Sequence, residues 1–182
     1  MIQTRRATLD DLESMVSVYT AAWREGFKHM FSADIFVAED FAAQRAAECH
    51  QELVNDTTDT FVVENGSMVI GFAAVEVEQA GAELHDIWLH PHAWGTSGAS
   101  ALVATVEEEV RSIGAARVTA WVPEDSPRGR RFFDKLGWRP TGAFEPLNLY
   151  PHQPNRLFEY ERVLAEIDMT RGMPRPNADL HA

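Results

Sequence analysis

Cysteine is nearly absent: Cys49 stands alone in 182 residues, so no internal disulfide can staple the chain. Its type and its place in a helical stretch make it a small buried hydrophobe, and a reducing, cytoplasmic setting is expected. Long apolar runs are missing too. The longest, near residues 69–75, is interrupted in character by Gly71, and the opening MIQTRRATLDD lacks the apolar core of a signal peptide, so neither a membrane span nor a signal peptide is expected. Basic residues are scarce, 16 against 28 acidic, for a formal net charge of −12. That field repels nucleic acid and anionic lipid and suits a cationic or amine-bearing partner. No internal repeat or linker interrupts the chain, and 45% hydrophobic content is enough to bury a core. One domain over residues 1–168 is expected. The remaining 169–182, with Pro174, Pro176 and little apolar content, is expected to be a mobile tail.

What is present centres on residues 83–113, ELHDIWLHPHAWGTSGASALVATVEEEVRSI. Ile87, Trp88 and Leu89 read as a strand that breaks at Pro91. A loop with Gly95 and Gly98 leads into a run in which Ala99, Leu102, Val103, Val106, Val110 and Ile113 recur at helical spacing. Glu107, Glu108, Glu109 and Arg111 fall mostly on the other side. A strand, a glycine loop and a helix entered in this order collect free backbone N–H groups at the positive end of a helix dipole, which suits a phosphate or pyrophosphate.

Along the chain, residues 2–6 read as a first strand, and Thr8 with Asp11 resembles a capping box. The helix that follows carries Leu9, Leu12, Val16, Tyr19 and Trp23 near one core-facing stripe and frays toward Gly26. Residues 27–36 show no clean period and read as a loop or broken helix of the kind that shapes a substrate mouth. Residues 37–53 form a second helix with Phe41, Ala42, Ala46, Cys49 and Leu53 available for burial. Asn65-Gly66, between strands at 60–64 and 68–78, is a strong hairpin signal. Gly114 is placed to end the long helix in a left-handed cap, and residues 117–122 form a strand containing Trp121. Ser126-Pro127 caps a short helix that stops at Gly137. Residues 138–144 and 157–164 close the sheet around a proline-rich, tyrosine-bearing connection.

This order gives a mixed α/β domain, antiparallel early and parallel where the long helix crosses over. Together with two local motifs it resembles the GNAT superfamily of acyl-CoA-dependent N-acyltransferases, over about residues 2–164. PHAWGTSGASAL, from Pro91 to Leu102, is similar to that family's acyl-CoA loop. SPRGRRFFDKLGW, from Ser126 to Trp138, is similar to its Asn-x-x-Ala-x-x-Phe-Tyr-x-x-x-Gly-Phe segment. Gly95, Ala99 and Leu102 fit the pattern. Trp94 replaces the usual Gln or Arg, Ser97 the second Gly, Ser126 the Asn, and Phe133 the general-acid Tyr. Ser97 brings a Cβ close to the phosphate position and leaves neighbouring Gly98 to take a strained conformation.

The resemblance implies a GNAT-like mixed sheet whose central parallel pair splays, flanked by about four helices. It implies acetyl-CoA as co-substrate, with the pyrophosphate on the backbone of Gly95, Thr96, Ser97, Gly98, Ala99 and Ser100. The pantetheine arm lies like an added strand beside residues 87–89 and 121–122, and an N–H near Trp88 or Leu89 faces the thioester oxygen. Ser126, Arg128 and Arg131, with Arg130, stand where the adenosine end approaches, and Phe133 stands at the sulfur. A small amine-bearing acceptor enters near residues 26–36 and 146–154. For the base, Glu83 comes first and His85 second. Strict alternation puts these two on one face and Asp86 on the other unless a bulge intervenes. His85, His90 and His92 are split between faces with no close carboxylate, so no metal site is expected. The reading is an N-acetyltransferase for a small primary amine, with a homodimer compatible with it. A non-catalytic acyl-CoA-binding or protein-interaction domain and a peptide or protein N-acetyltransferase are the alternatives.

Overall fold

A computed structural model describes residues 1–28, 39–78, 81–147 and 155–164. Among these residues, seven strands form one sheet: β1 (Ile2–Arg6), β2 (Thr58–Asn65), β3 (Met68–Glu78), β4 (Gly81–Leu89), β5 (Arg117–Pro123), β6 (Arg139–Leu147) and β7 (Asn155–Val163), in the order β1-β2-β3-β4-β5-β7-β6. Among the described residues, four helices accompany it: α1 (Leu12–Gly26), α2 (Glu39–Val54), α3 (Gly98–Ser112) and α4 (Pro127–Lys135). Every neighbouring pair runs antiparallel except β4 and β5, which α3 joins by a crossover. The expected GNAT-like mixed sheet with a parallel central pair is what the chain forms.

Local chemistry sets the element ends. Gly66 sits at φ +68° in the β2–β3 turn, Gly114 at +79° after α3, and Gly137 at +83° after α4, all conformations that a Cβ opposes. Ser126 caps α4 by accepting from the Gly129 N–H at 3.2 Å, with Pro127 in the first turn. Asp11, nearly buried, accepts from the Thr8 N–H at 2.8 Å and from both Arg5 terminal nitrogens at 2.7 and 2.8 Å, so the capping box also ties β1 to the helix.

Two cores lie on the two faces of the sheet. On one, Leu102, Val103, Val106 and Val110 of α3 meet Val63, Ala73, Val75, Leu84, Val118 and Ala120, and Phe133 and Trp138 extend the cluster. Each buried Val, Leu or Phe side chain here contributes about 1.5–3 kcal/mol. On the other, Met15, Val18 and Cys49 pack on Val62 and Phe72. Burial holds the Cys49 thiol protonated, pushed up to about 12.

Three sequence expectations shift. The buried stripe of α1 is Met15, Val18 and Ala22; Leu9 is 53% exposed because it lies in a separate 3-10 turn, and Tyr19 and Trp23 sit at the stripe's edge. In α2 the fully enclosed positions are Cys49 and, unexpectedly, Arg45, while Ala42 is exposed. Glu107 turns inward to accept from the Trp138 Nε1 and Arg111 Nη2 donors, each at 3.1 Å, so it is not part of a solvated face. Much of the expected substrate mouth at 27–36, the connection over 148–154 and the tail over 169–182 lie outside the described residues.

Candidate active site

The parallel pair barely pairs. β4 and β5 match only at Ala82 with Val118 and Glu83 with Thr119. Beyond that point neither strand has the other as a partner, so residues 84–89 and 120–123 border an open fork. Facing backbone edges without a ladder partner are donors and acceptors available to an extended ligand.

A bulge decides which side chains face the fork's acidic side. Opposite Ala74 and Val75 of β3 stand Asp86 and Leu84 of β4, so His85 is the extra residue. Ala82, Leu84, Ile87 and Leu89 therefore face α3, as their packing shows. Glu83, Asp86 and Trp88 share the face toward α1 and α2, where Asp86 binds Arg45 of α2 and Trp88 packs on the second core. Strict alternation, with Glu83 and His85 opposite Asp86, does not hold.

Glu83 stands at the crotch of the fork, half-buried, and accepts from the Trp121 Nε1–H at 3.2 Å across it. His85 is exposed on the bulge. Its ring lies within 4.8 Å of ligand atoms on Glu52 and Asp86, so carboxylates do stand beside it, contrary to the sequence expectation. Arg45 already occupies that cluster. It bonds Asp86, lies 3.1 Å from Glu52 and 3.2 Å from Glu48, and spreads its guanidinium 4.5 Å above the Tyr19 ring. Burial, with the Asp86 charge added, outweighs Arg45 and pushes the Glu52 carboxyl up to about 8. Asp86 also accepts from the Trp88 indole N–H.

At the open end of the fork, β4 gives way to a 3-10 turn at Pro91–Ala93 and the N-terminus of α3. Gly95 takes φ +82° with open space where a Cβ would go, whereas Ser97 sits at φ −78°. The strained position is thus Gly95, not Gly98, and Ser97 needs no glycine. Gly98 matters for a different reason: a Cβ there would lie 3.1 Å from Leu89 Cδ1, a tight contact where α3 crosses β4. Thr96 braces the loop by donating to the Ala93 carbonyl at 2.7 Å, and the Ser100 hydroxyl donates to the Ser97 carbonyl at 2.9 Å. Among the described residues, the N–H groups of Gly95, Ser97, Ala99 and Ser100 donate to no backbone carbonyl. Gly95, Thr96 and Ser97 are exposed, so the nest is open to an anion.

Trp94 fills the place expected for Gln or Arg. Its Nε1–H donates to the Leu89 carbonyl at 2.8 Å, and Arg128 of α4 lies 3.9 Å above its ring. A cation therefore reaches the loop from α4, across the fork's mouth. A cleft of about 560 Å³ opens beside it, lined by Arg24, His90, His92, Trp94 and Arg128 among others. Burial, then the neighbouring His92, holds His90 below the ordinary histidine range. Arg131 is exposed on α4. Phe133 is 4% exposed and packs on Phe132, Trp138 and Tyr160 at ring separations of 5.3, 4.9 and 6.0 Å.

These features define an α/β domain suited to holding an elongated, phosphate-bearing ligand at a sheet fork with a carboxylate at its base. The chain belongs to the acetyltransferase (GNAT) family, whose model matches residues 15–138. Among solved structures, the PaiA N-acetyltransferase of Thermoplasma acidophilum, in complex with coenzyme A, superposes with a TM-score of 0.73 at 18% identity over 90% of this chain and 99% of that one. The ribosomal-protein-S18-alanine N-acetyltransferase of Escherichia coli gives 0.70 at 15% identity over 93% and 99%. YncA of Salmonella typhimurium, with its cofactor acetyl-CoA, gives 0.68 at 18% identity over 98% and 99%. At these identities the likeness speaks for the fold alone. No curated protein sequence matches the chain significantly. Among the described residues no helix is long and apolar enough to cross a membrane.

Proposed function

We propose that this acetyltransferase moves an acetyl group from acetyl-CoA to a primary amine of a small molecule, with Glu83 as the base. The observation that carries the reading is the fork: an N–H nest at its mouth and a carboxylate at its crotch, with unladdered strand edges between. The residues fit the coenzyme. Gly95, Ser97, Ala99 and Ser100 supply N–H groups for the diphosphate, and Arg128, stacked on Trp94, adds a cation in an otherwise acidic protein. Ser126 and Arg131 line the approach for the adenosine end.

Glu83 takes a proton from the incoming ammonium, which frees the nitrogen lone pair; attack on the thioester carbon forms the C–N bond and a tetrahedral oxyanion, whose collapse breaks the C–S bond and expels the thiolate while the nitrogen's surplus proton passes to water. Strand N–H groups bordering the gap near Trp88 and Leu89 stabilise the negative oxygen. His85, on the bulge beside the Glu52 and Asp86 carboxylates, is the second proton acceptor at this face. Phe133 has no proton to give the departing thiolate. A thiol of ordinary pKa near roughly 8.5 leaves without one, and water protonates it afterward. The protein works in the cytoplasm, in keeping with its single buried thiol.

An amine panel read by release of coenzyme thiol tests this. Acetyl-CoA-dependent thiol release with at least one small primary amine is expected. Coenzyme binding without release for any amine leaves a binding domain that has lost catalysis, the reading that Phe133 alone favours; release only with peptide N-termini moves the acceptor to proteins.

A further inference from the structure

On the reading just given, we propose that Trp88 is the acceptor-specificity residue and that the buried Arg45–Asp86 pair positions it to receive an amine carried on a flat aromatic body. Trp88 lies in the part of β4 that has no partner across the fork, on the same face as Glu83. With one bulge between them, the two are about four strand positions or roughly 13 Å apart along the strand. An amine on a short arm with a ring behind it bridges a carboxylate at one end and an indole at the other.

The indole is held at three points. Its Nε1–H donates to Asp86, whose other oxygen binds Arg45. Tyr19 meets it edge-on, with centroids 4.9 Å apart at 72°, and the Arg45 guanidinium lies 4.5 Å above the Tyr19 ring. Trp23 lies against it at 5.9 Å and 30°. Arg45 is 5% and Asp86 8% exposed. A buried ion pair gives little net stability, since well-packed apolar side chains of the same volume do as well, but it fixes geometry. A wall that merely excluded water would need a leucine and no anchored N–H. An indole held in plane on the Glu83 face of β4, where that strand has no partner across the fork, is instead built to stack on a ring. Trp121, which donates to Glu83, adds a second indole next to the base.

The test compares phenethylamine with its cyclohexyl analogue, equal in charge and nearly equal in size, using acetyl-CoA and the full chain. Wild type is expected to favour the phenyl compound by about five- to tenfold in kcat/KM, carried by KM. Trp88→Leu should bring the ratio to within twofold of one, and Trp88→Phe, which keeps a ring, should restore most of the preference. Asp86→Asn should raise KM for the phenyl compound alone by about threefold or more; a merely structural role would weaken both amines alike. A wild-type ratio near one overturns the proposal without needing any variant to fold, as does a preference that Trp88→Leu leaves intact. If neither these nor any other amine is acetylated, it is the acetyltransferase reading itself that has failed.

Discussion

In the proposed reaction Glu83 is the base. Its carboxylate is fixed by the Trp121 N–H at 3.2 Å and by its place at the last paired position of β4 and β5. Replacing it with Gln keeps the shape and removes the proton acceptor. Glu83→Gln should therefore lower kcat on the order of a hundredfold and leave the acetyl-CoA dissociation constant nearly unchanged. Steady-state thiol release and a coenzyme titration measure the two; a rate that survives moves the base to His85, which the same change at that residue then reveals. Glu52 makes a separate prediction about stability. Its carboxyl is raised from an unfolded value of 4.5 to about 8, so the stability it contributes is whole below its unfolded pKa and is lost as pH rises through the folded one. Thermal melts from pH 5 to 9 should show wild type falling relative to Glu52→Gln, by a few degrees in Tm at the alkaline end and by little at pH 5. Parallel curves for the two proteins would mean that Arg45 keeps Glu52 ionised throughout.

At the scale of elements, the loop between β4 and α3 depends on one backbone conformation. Gly95 holds φ +82° with nothing within 4 Å of an added Cβ, so Gly95→Ala meets no clash and costs only the left-handed conformation, about 1 kcal/mol. The variant should fold and bind acetyl-CoA several-fold more weakly, because the nest relaxes from its shape; isothermal titration checks this, and unchanged affinity would place the diphosphate elsewhere. Most elements were legible in the sequence because their signals are local: Asn65-Gly66, Ser126-Pro127, Gly114 and Gly137 each act within a few residues. The bulge at His85 was not, because it exists only in the register between β4 and β3, and it alone decides that Asp86 joins Glu83. Arg45 was missed for a similar reason. Among Glu48, Glu52 and the alanines of α2 it reads as part of a solvated face, and only the distant Asp86 makes its burial tolerable. The Trp94–Arg128 stack, joining two elements 34 positions apart in sequence by a 3.9 Å contact, was equally out of reach.

For the whole molecule, the sheet is two antiparallel blocks joined by the short parallel contact of β4 and β5. One face is filled by α3 and α4 and the other by α1 and α2, so the fork between the blocks is the place where backbone stays open inside a packed domain. The net charge of −12 favours amines and opposes a phosphate-bearing coenzyme at long range, so the proposed binding rests on the nest and Arg128 at close quarters. The proposed function requires that this fork bind acetyl-CoA in the folded state. Thermal unfolding of the wild-type chain across an acetyl-CoA titration tests it most directly. At a hundred times its dissociation constant the coenzyme should add about 2.7 kcal/mol, seen as a rise of several degrees in Tm that saturates as a single site does. An unchanged Tm at millimolar acetyl-CoA would contradict it.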